Sequence, residues 1–407
     1  MNRNYTLAAG LCLLTAGGCA RHSTVQMPLS KYAQPIAAGQ SSLRRVTDPT
    51  RLPDLAAAYT NADSLLFDAI QQSLQWFALP SSRRFFPAQG ISHGRAEASL
   101  LAIKELLSSR PGAKAFAVDL VALFDVYESI GYDGTGTVLF TGYYAPIFAA
   151  SLTPTGRFAF PLYRRPTDLV TDPETGVPRG RRRADETVVP YYTRRQIETS
   201  QMLGGDELVW LEDPLSVYIV HVNGSARLKL QGPEGPGEMY VGYAGKTDRP
   251  YTGLGKLMIQ EGLLQPDNVT LSAIKRIYQR SPGQVTELIY RNENYVFFTE
   301  YDGDRWPMGS IGVRVTPKRT LATDKRIYPR GGLVLVDTQA VSFGRRRRPF
   351  LQLMLDQDTG GAIRAPGRAD IFMGIGPDAE ILAGGQFAEG RLYYLFLKPQ
   401  YVQRYAR

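Results

Sequence analysis

Cysteine is almost missing from this 407-residue chain: Cys12 and Cys19 are the only two, and both fall in the first twenty residues. The body that follows therefore has no disulfide and no cysteine-built metal site. Histidine is nearly as scarce, with His22, His93 and His221 far apart in sequence, whereas a transition-metal centre wants such donors together. Past the N-terminus no apolar run has the length of a spanning helix, and no internal repeat or low-complexity tract stands out. The formal net charge of +9 is not accompanied by zinc-finger spacing, an RNP-like aromatic motif or a basic amphipathic helix, so a nucleic-acid partner is not indicated. The reading calls for no metal, no cofactor and an anionic partner of another kind, such as a phospholipid surface or a cell-wall polymer. Arg181–Arg183 and Arg345–Arg348 concentrate positive charge and read as solvated loop tips.

Glycine, by contrast, is abundant, at 40 residues, alongside 27 Pro and 23 Tyr. With few long helical patterns, this composition points to a mainly β fold with many turns, and the length suits two domains better than one. The first residues decide the compartment. TLAAGLCLLTAGG is an apolar stretch of signal-peptide length, too short to cross a bilayer, and AGGC places small residues directly before Cys19. Residues 1–18 thus resemble a bacterial lipoprotein signal, with Cys19 as the lipidated first residue and Ala16 a departure at the usual aliphatic position. Acyl chains on Cys19 would tether the protein to a membrane. Ala20 after it suits the periplasmic face of the outer membrane. Residues 19–55 read as a polar tether.

Helical spacing of apolar residues predicts helices over Asp63–Phe77, from a Ser92 cap through Leu107, and over Ala113–Tyr127. From Thr137 the pattern turns to strands. TVLFTGYYAPIF is rich in β-formers, and Val217–Val222 alternates before NGS, which reads as a strand and hairpin. Short helices are expected at Lys256–Gly262, Thr270–Gln279 and Gly283–Arg291, then a strand at Tyr295–Tyr301. The last hundred residues read as short strands at Gly312–Val315, Thr320–Ala322, Leu333–Val336, Leu351–Leu355, Ala369–Met373 and Leu392–Phe396, separated by turns. This pattern suggests a small closed β-barrel.

The segment LDQDTGGAIRAPGRADIFMG, residues 355–374, concentrates chemistry. An EF-hand counted from Asp356 would need an oxygen ligand at Gly360 and a glutamate at Gly367, so a calcium loop is excluded. Gly360 and Gly361 suit a tight turn or close approach of backbone to ligand. Asp370 stands between Ala369 and the pair Ile371 and Phe372. Partial desolvation there would favour the protonated form that a general acid needs; equally, Asp370 would face water from the polar side of its strand.

The chain resembles the membrane-bound lytic murein transglycosylase A family with its C-terminal "3D" domain. The similarity runs in order through FTGYYAP (140–146), VHVNGSARL (220–228), PYTGLGKLMIQEG (250–262), NYVFF (294–298), LATDKRIYPRGG (321–332), LDQDTGGAIR, GRADIFMGIG and AGGQFAEGRLYYLFLKP. The three aspartates for which that domain is named would be Asp324, Asp358 and Asp370. The resemblance implies a lytic exotransglycosylase. Such an enzyme cleaves the β-1,4 bond between N-acetylmuramic acid and N-acetylglucosamine in peptidoglycan and leaves a 1,6-anhydromuramoyl end. Asp370 would be the single catalytic acid and base. Asp358, Gly360, Gly361, Thr141, Tyr143 and Tyr144 would line the substrate site, Asp324 would support the barrel, and Asp356 would be ancillary. Arg364 and Arg368 read first as exposed loop charge, and second as partners for the lactyl or peptide carboxylates of the wall.

The implied fold is a double-psi β-barrel formed with N-terminal helices by residues 56–144 and 304–407. A second β-rich domain, 145–303, would be inserted, with a deep cleft between the two. The expected partners are glycan strands and, through Cys19, a membrane; a monomer is expected. Two departures stand out: Ala145 where the family commonly has an acid, and Asn223–Ala226 where a QGSG-like motif is frequent. A non-catalytic wall-binding lipoprotein and a water-using hydrolase are the alternatives.

Overall fold

Eight strands are hydrogen-bonded in the order Leu43–Arg45, Phe124–Ser129, Phe387–Leu397, Leu333–Val341, Arg347–Asp358, Thr320–Ala322, Arg368–Ile375 and Val138–Ala145. The last of these also pairs with Phe387–Leu397, which closes six strands into a ring. Closure removes free sheet edges. In this computed structural model the described residues are 28–405 apart from 38, 174–175, 266–268, 344–345 and 362. The expected signal segment and Cys19 lie outside them.

The ring explains the apolar runs of the last hundred residues. Leu333–Val336, Leu353–Leu355, Ile371 and Leu392–Leu397 are all buried. They share one large core with helices Ser64–Phe77 and His93–Ser108. Those two helices begin on side-chain caps: Asp63 accepts from the Leu66 amide and Ser92 from the Arg95 amide. Each cap is worth about 1 kcal/mol.

The chain leaves the ring at Ala145 and enters a four-stranded sheet at Ile147. That sheet is ordered Val296–Tyr301, Gly237–Lys246, Ser225–Leu230, Ile147–Ala150. Two smaller sheets join it, Phe160–Tyr163 with Glu207–Leu211, and Leu169–Thr171 with Pro178–Arg182 and Val188–Val189. Where the four-stranded sheet meets the ring, Ala145, Trp306, Val315 and Phe372 are buried together, with Tyr143, Tyr240 and Tyr301 packed on them. The Trp306 indole donates to the Val241 carbonyl at 3.0 Å. Ala145 is fully buried in this cluster, so a carboxylate at that position would be desolvated.

Several expectations are corrected. The fold is mixed, with at least as much helix, 3₁₀ turns included, as strand among the described residues: beside the three expected insert helices, found at Leu254–Gln260, Leu271–Arg280 and Pro282–Tyr290, stand Arg194–Ser200 and Pro214–Asn223. Val217–Val222 is helical, inside Pro214–Asn223. Asp213 caps its first turn, Pro214 fits the first helical position, and Gly224 ends it in the left-handed conformation, at φ 72°. Burial on nearly all sides hides any helical stripe.

The helix expected to reach Tyr127 stops at Leu123, where Phe124–Ser129 joins the ring's outer edge. Gly312–Val315 forms turns, with only one bridge, Met308 to Arg314. The stretch expected to be a free tether up to residue 55 is built into the body. Leu43–Arg45 pairs with Phe124–Ser129. Tyr32 is buried, with its hydroxyl 2.5 Å from Glu389 Oε1.

Candidate active site

Three adjacent strands carry the carboxylates. Ala322, in the middle strand, is in register with Asp358 on one side and Asp370 on the other. Beyond Asp370 the parallel strand Val138–Ala145 brings Thr141 opposite it. Side chains alternate along a strand, so Thr141 and Tyr143 share one face and Tyr144 takes the other. Tyr143 donates to Asp358 Oδ2 at 2.7 Å and packs against Phe372 with ring centroids 5.2 Å apart. Tyr144 instead donates to Glu380 Oε2 at 2.9 Å, and Lys275 pairs with the other oxygen of that carboxylate. Tyr144 is thus not brought to the aspartates.

Asp370 is held through one oxygen. The Thr141 hydroxyl and Arg368 Nη2, the latter at 3.1 Å, both donate to Oδ1. Arg368 Nη2 also lies 3.0 Å from the Thr141 hydroxyl oxygen. Among the described residues Oδ2 has no hydrogen-bond partner. The side chain keeps 17% of its exposure, so that oxygen is open to solvent or substrate. Arg368 corrects the sequence reading. It is not loop charge but a residue buried to within 8% of full cover, placed two positions before Asp370 on the same face of the strand.

Asp358 is half-buried as well, and both of its oxygens are engaged. Its Oδ1 accepts the Ser310 and Thr359 amides, each at 2.8 Å. Burial pushes its carboxyl pKa up, and the bonds from Tyr143, Thr359 and Ser310 and the charge of Lys325 offset only part of that. Burial, and then the charge of Asp358, push the Tyr143 hydroxyl pKa well up, so it remains a donor.

The remaining aspartates brace the surroundings. Asp324 is buried and accepts from the Ala365 amide at 3.0 Å and from Arg326 Nε at 2.8 Å. It thereby ties the end of the loop that carries Gly360 and Gly361. Asp356, expected to be ancillary, is a fully buried ion-pair partner of Lys325. It also accepts from Thr323 at 2.8 Å and from Tyr394 at 2.6 Å. Burying two opposite charges is tolerable only with such additional hydrogen bonds. Among the described residues no group of three or more His, Cys, Asp or Glu could hold a metal ion, and no helix is long and apolar enough to cross a membrane.

Asn223 donates to the Ile219 carbonyl, and Ser225–Leu230 starts at once after Gly224. The Asn223–Ala226 departure therefore sits at a helix end running into a strand. Hollows of about 610 and 340 Å³ lie beside Tyr59, Phe67 and Leu107, and beside Arg319, Gln352 and Asp378. Neither includes Asp370 or Asp358, and the chemistry is better located by the carboxylates than by volume.

Comparison with known proteins matches the two parts of this architecture. Residues 139–299 fit the family model of the MltA specific insert domain, and residues 319–396 that of the 3D domain. The membrane-bound lytic murein transglycosylase A of Vibrio cholerae is 30% identical over 275 residues, covering 66% of this chain and 68% of the relative. The Escherichia coli protein of that name is 29% identical over 279 residues, covering 68% and 70%. A crystal structure of membrane-bound lytic murein transglycosylase from Agrobacterium tumefaciens is similar with a TM-score of 0.71 at 26% identity, over 89% of this chain and 99% of that one. The structure of E. coli MltA with bound chitohexaose shares the fold with a TM-score of 0.67 at 24% identity, over 90% and 96%. On sequence and on fold, the chain belongs to the membrane-bound lytic murein transglycosylase A family.

Proposed function

We propose that this protein cleaves the β-1,4 bond between N-acetylmuramic acid and N-acetylglucosamine in peptidoglycan, with Asp370 as its single acid and base. The family is one of peptidoglycan-cleaving lyases, and a chitohexaose-bound relative speaks for a glycan in the groove. The observation that carries the residue assignment is the one-sided anchoring of Asp370: Oδ1 is taken by Thr141 and Arg368, which leaves Oδ2 for substrate.

In this reading Asp370 Oδ2 gives its proton to the glycosidic oxygen as the C1–O bond breaks. The same oxygen, now part of a carboxylate, takes the proton from the muramic acid's C6 hydroxyl as that oxygen bonds to C1. The proton is returned, no water is consumed, and the product is a 1,6-anhydromuramoyl end. A hydroxyl already attached to the sugar has high effective molarity, so one carboxylate suffices. Tyr143, Asp358 and the Gly360–Gly361 turn would border the sugar, and Asp324 would hold the loop.

The glycan would lie in a deep cleft between a double-psi barrel, made of the ring, and the inserted domain. Lipidation at Cys19 would fix the protein, as a monomer, to the periplasmic face of the outer membrane. Mass spectrometry of purified sacculi digested by the full-length protein tests the reaction. Anhydromuropeptides are expected from the parent and none from Asp370→Asn. Intact binding without products from either protein would leave a wall-binding module.

Hydrolysis is a second reading, favoured by Asp358, a second carboxylate two strands from Asp370 across Ala322. Two carboxylates on either side of a sugar can direct water to it. Reducing ends in place of anhydro ends would establish it.

A further inference from the structure

The two arginines that frame the loop before Asp370 have different surroundings. Arg368 is bound to the acid and to Thr141. Arg364 is half-buried in the loop that carries Gly361, and Lys246 ends the inserted strand Gly237–Lys246. The Lys246 ammonium reaches across to the loop. A Cβ built on Gly361 would lie 3.8 Å from Nζ. Lys246 is half-buried, and burial followed by the charge of Arg364 lowers its pKa. No carboxylate answers either cation among the described residues, whereas Arg368 and Lys275 are matched by Asp370 and Glu380.

Two facing cations without an anion repel, and partial burial strengthens the repulsion. An anionic ligand would relieve it. Resting on the peptidoglycan reading above, we propose that Lys246 and Arg364 form a carboxylate-binding subsite between the inserted sheet and the ring. Its ligand is a carboxylate carried by the glycan's substituents, either on a stem peptide or on a free lactyl group. Gly361 brings the loop backbone close to the ammonium. The sugar backbone itself is neutral, so this pair would distinguish muramic acid strands from plain N-acetylglucosamine oligomers.

The test compares the full-length parent with Lys246→Gln, Arg364→Gln and the double variant on three ligands. These are peptide-bearing glycan strands, strands stripped of peptide so that the lactyl carboxylate is free, and the neutral N-acetylglucosamine hexamer. On a charged ligand the double variant is expected to lose roughly tenfold in affinity, with KM raised by a similar factor. Its kcat and its affinity for the hexamer should stay within about twofold of the parent, and Lys246→Arg should keep most of the binding. Loss on peptide-bearing strands alone identifies the peptide as the source, and loss on stripped strands the lactyl group. Equal losses on the neutral hexamer, or none on any ligand, would overturn the subsite. A parent that binds all three but releases no anhydro product refutes the catalytic reading, while the charged-against-neutral comparison still decides this one.

Discussion

Arg368 Nη2 lies 3.1 Å from Asp370 Oδ1, two residues away on one strand face, and the same nitrogen reaches Thr141. In the proposed mechanism this contact would fix which carboxylate oxygen reacts and set a positive charge beside the carboxylate formed between the two proton transfers. A charge-assisted bond of this kind contributes about 1.5–3 kcal/mol. Arg368→Gln is expected to lower kcat roughly 10- to 100-fold, with Arg368→Lys recovering part of the loss. Steady-state release of soluble wall fragments measures this. A fall in melting temperature with unchanged kcat would make Arg368 a packing residue only.

Tyr143 and Tyr144 are neighbours in sequence that face opposite sides. Tyr143→Phe removes a donor from Asp358 and is expected to cut turnover about tenfold. Tyr144→Phe leaves turnover within about twofold and costs about 1 kcal/mol of stability through the lost bond to Glu380. Urea denaturation beside the turnover assay separates the two; equal effects on activity would contradict the assignment of faces.

Asp358 carries its charge at a cost to the fold. Its folded pKa is raised, chiefly by burial. The folded state therefore holds the proton more tightly than the unfolded chain, and ionisation as pH rises subtracts stability. Asp358→Asn keeps an acceptor for the Ser310 and Thr359 amides and removes the charge. The variant is expected to gain stability relative to the parent between pH 4 and pH 8, while wall cleavage falls about tenfold or more. Melting temperatures across that range check the sign. A variant that loses ground as pH rises would show the carboxylate to be stabilising.

Asp324 has the opposite sign. Burial alone would raise its carboxyl, but bonds from the Arg326 side chain and the Ala365 and Arg326 amides outweigh burial and hold it below the ordinary value. Its contribution is present above the unfolded carboxylate pKa and is lost as pH falls through the lower folded one. Arg326 is 64% exposed, so the loss in Asp324→Asn at pH 7 should be modest, about 1–2 kcal/mol. The gap to the parent should shrink below about pH 4. A gap independent of pH would assign the effect to shape rather than charge.

Much of the ring could be read from the sequence. Thr320–Ala322, Ala369–Met373 and Leu392–Phe396 all fall within strands, because continuous apolar runs between turns are what a buried strand requires. Helix 214–223 was missed because burial on nearly all sides removes the stripe on which periodicity depends. Asp213-Pro214 before it and Gly224 after it were the available signals. Arg368 was missed for a different reason: its two partners are Asp370, on its own strand, and Thr141, 227 residues away. The Arg-x-Asp spacing puts both side chains on one face of a strand, but no local pattern shows that this face also meets Thr141 and is covered. The resemblance groups Tyr144 with Tyr143, and the alternation of side chains along the strand separates them.

The docking of the N-terminal stretch changes the protein's reach. Pro28–Ala33 and Leu43–Arg45 belong to the body, secured by Tyr32 and by the Lys31–Glu389 ion pair. Residues 28–45, which at full stretch would span roughly 60 Å, therefore add no slack between the body and the proposed acyl anchor at Cys19. The portion of the wall such an anchored enzyme could trim would be set more closely by how near that wall approaches the membrane.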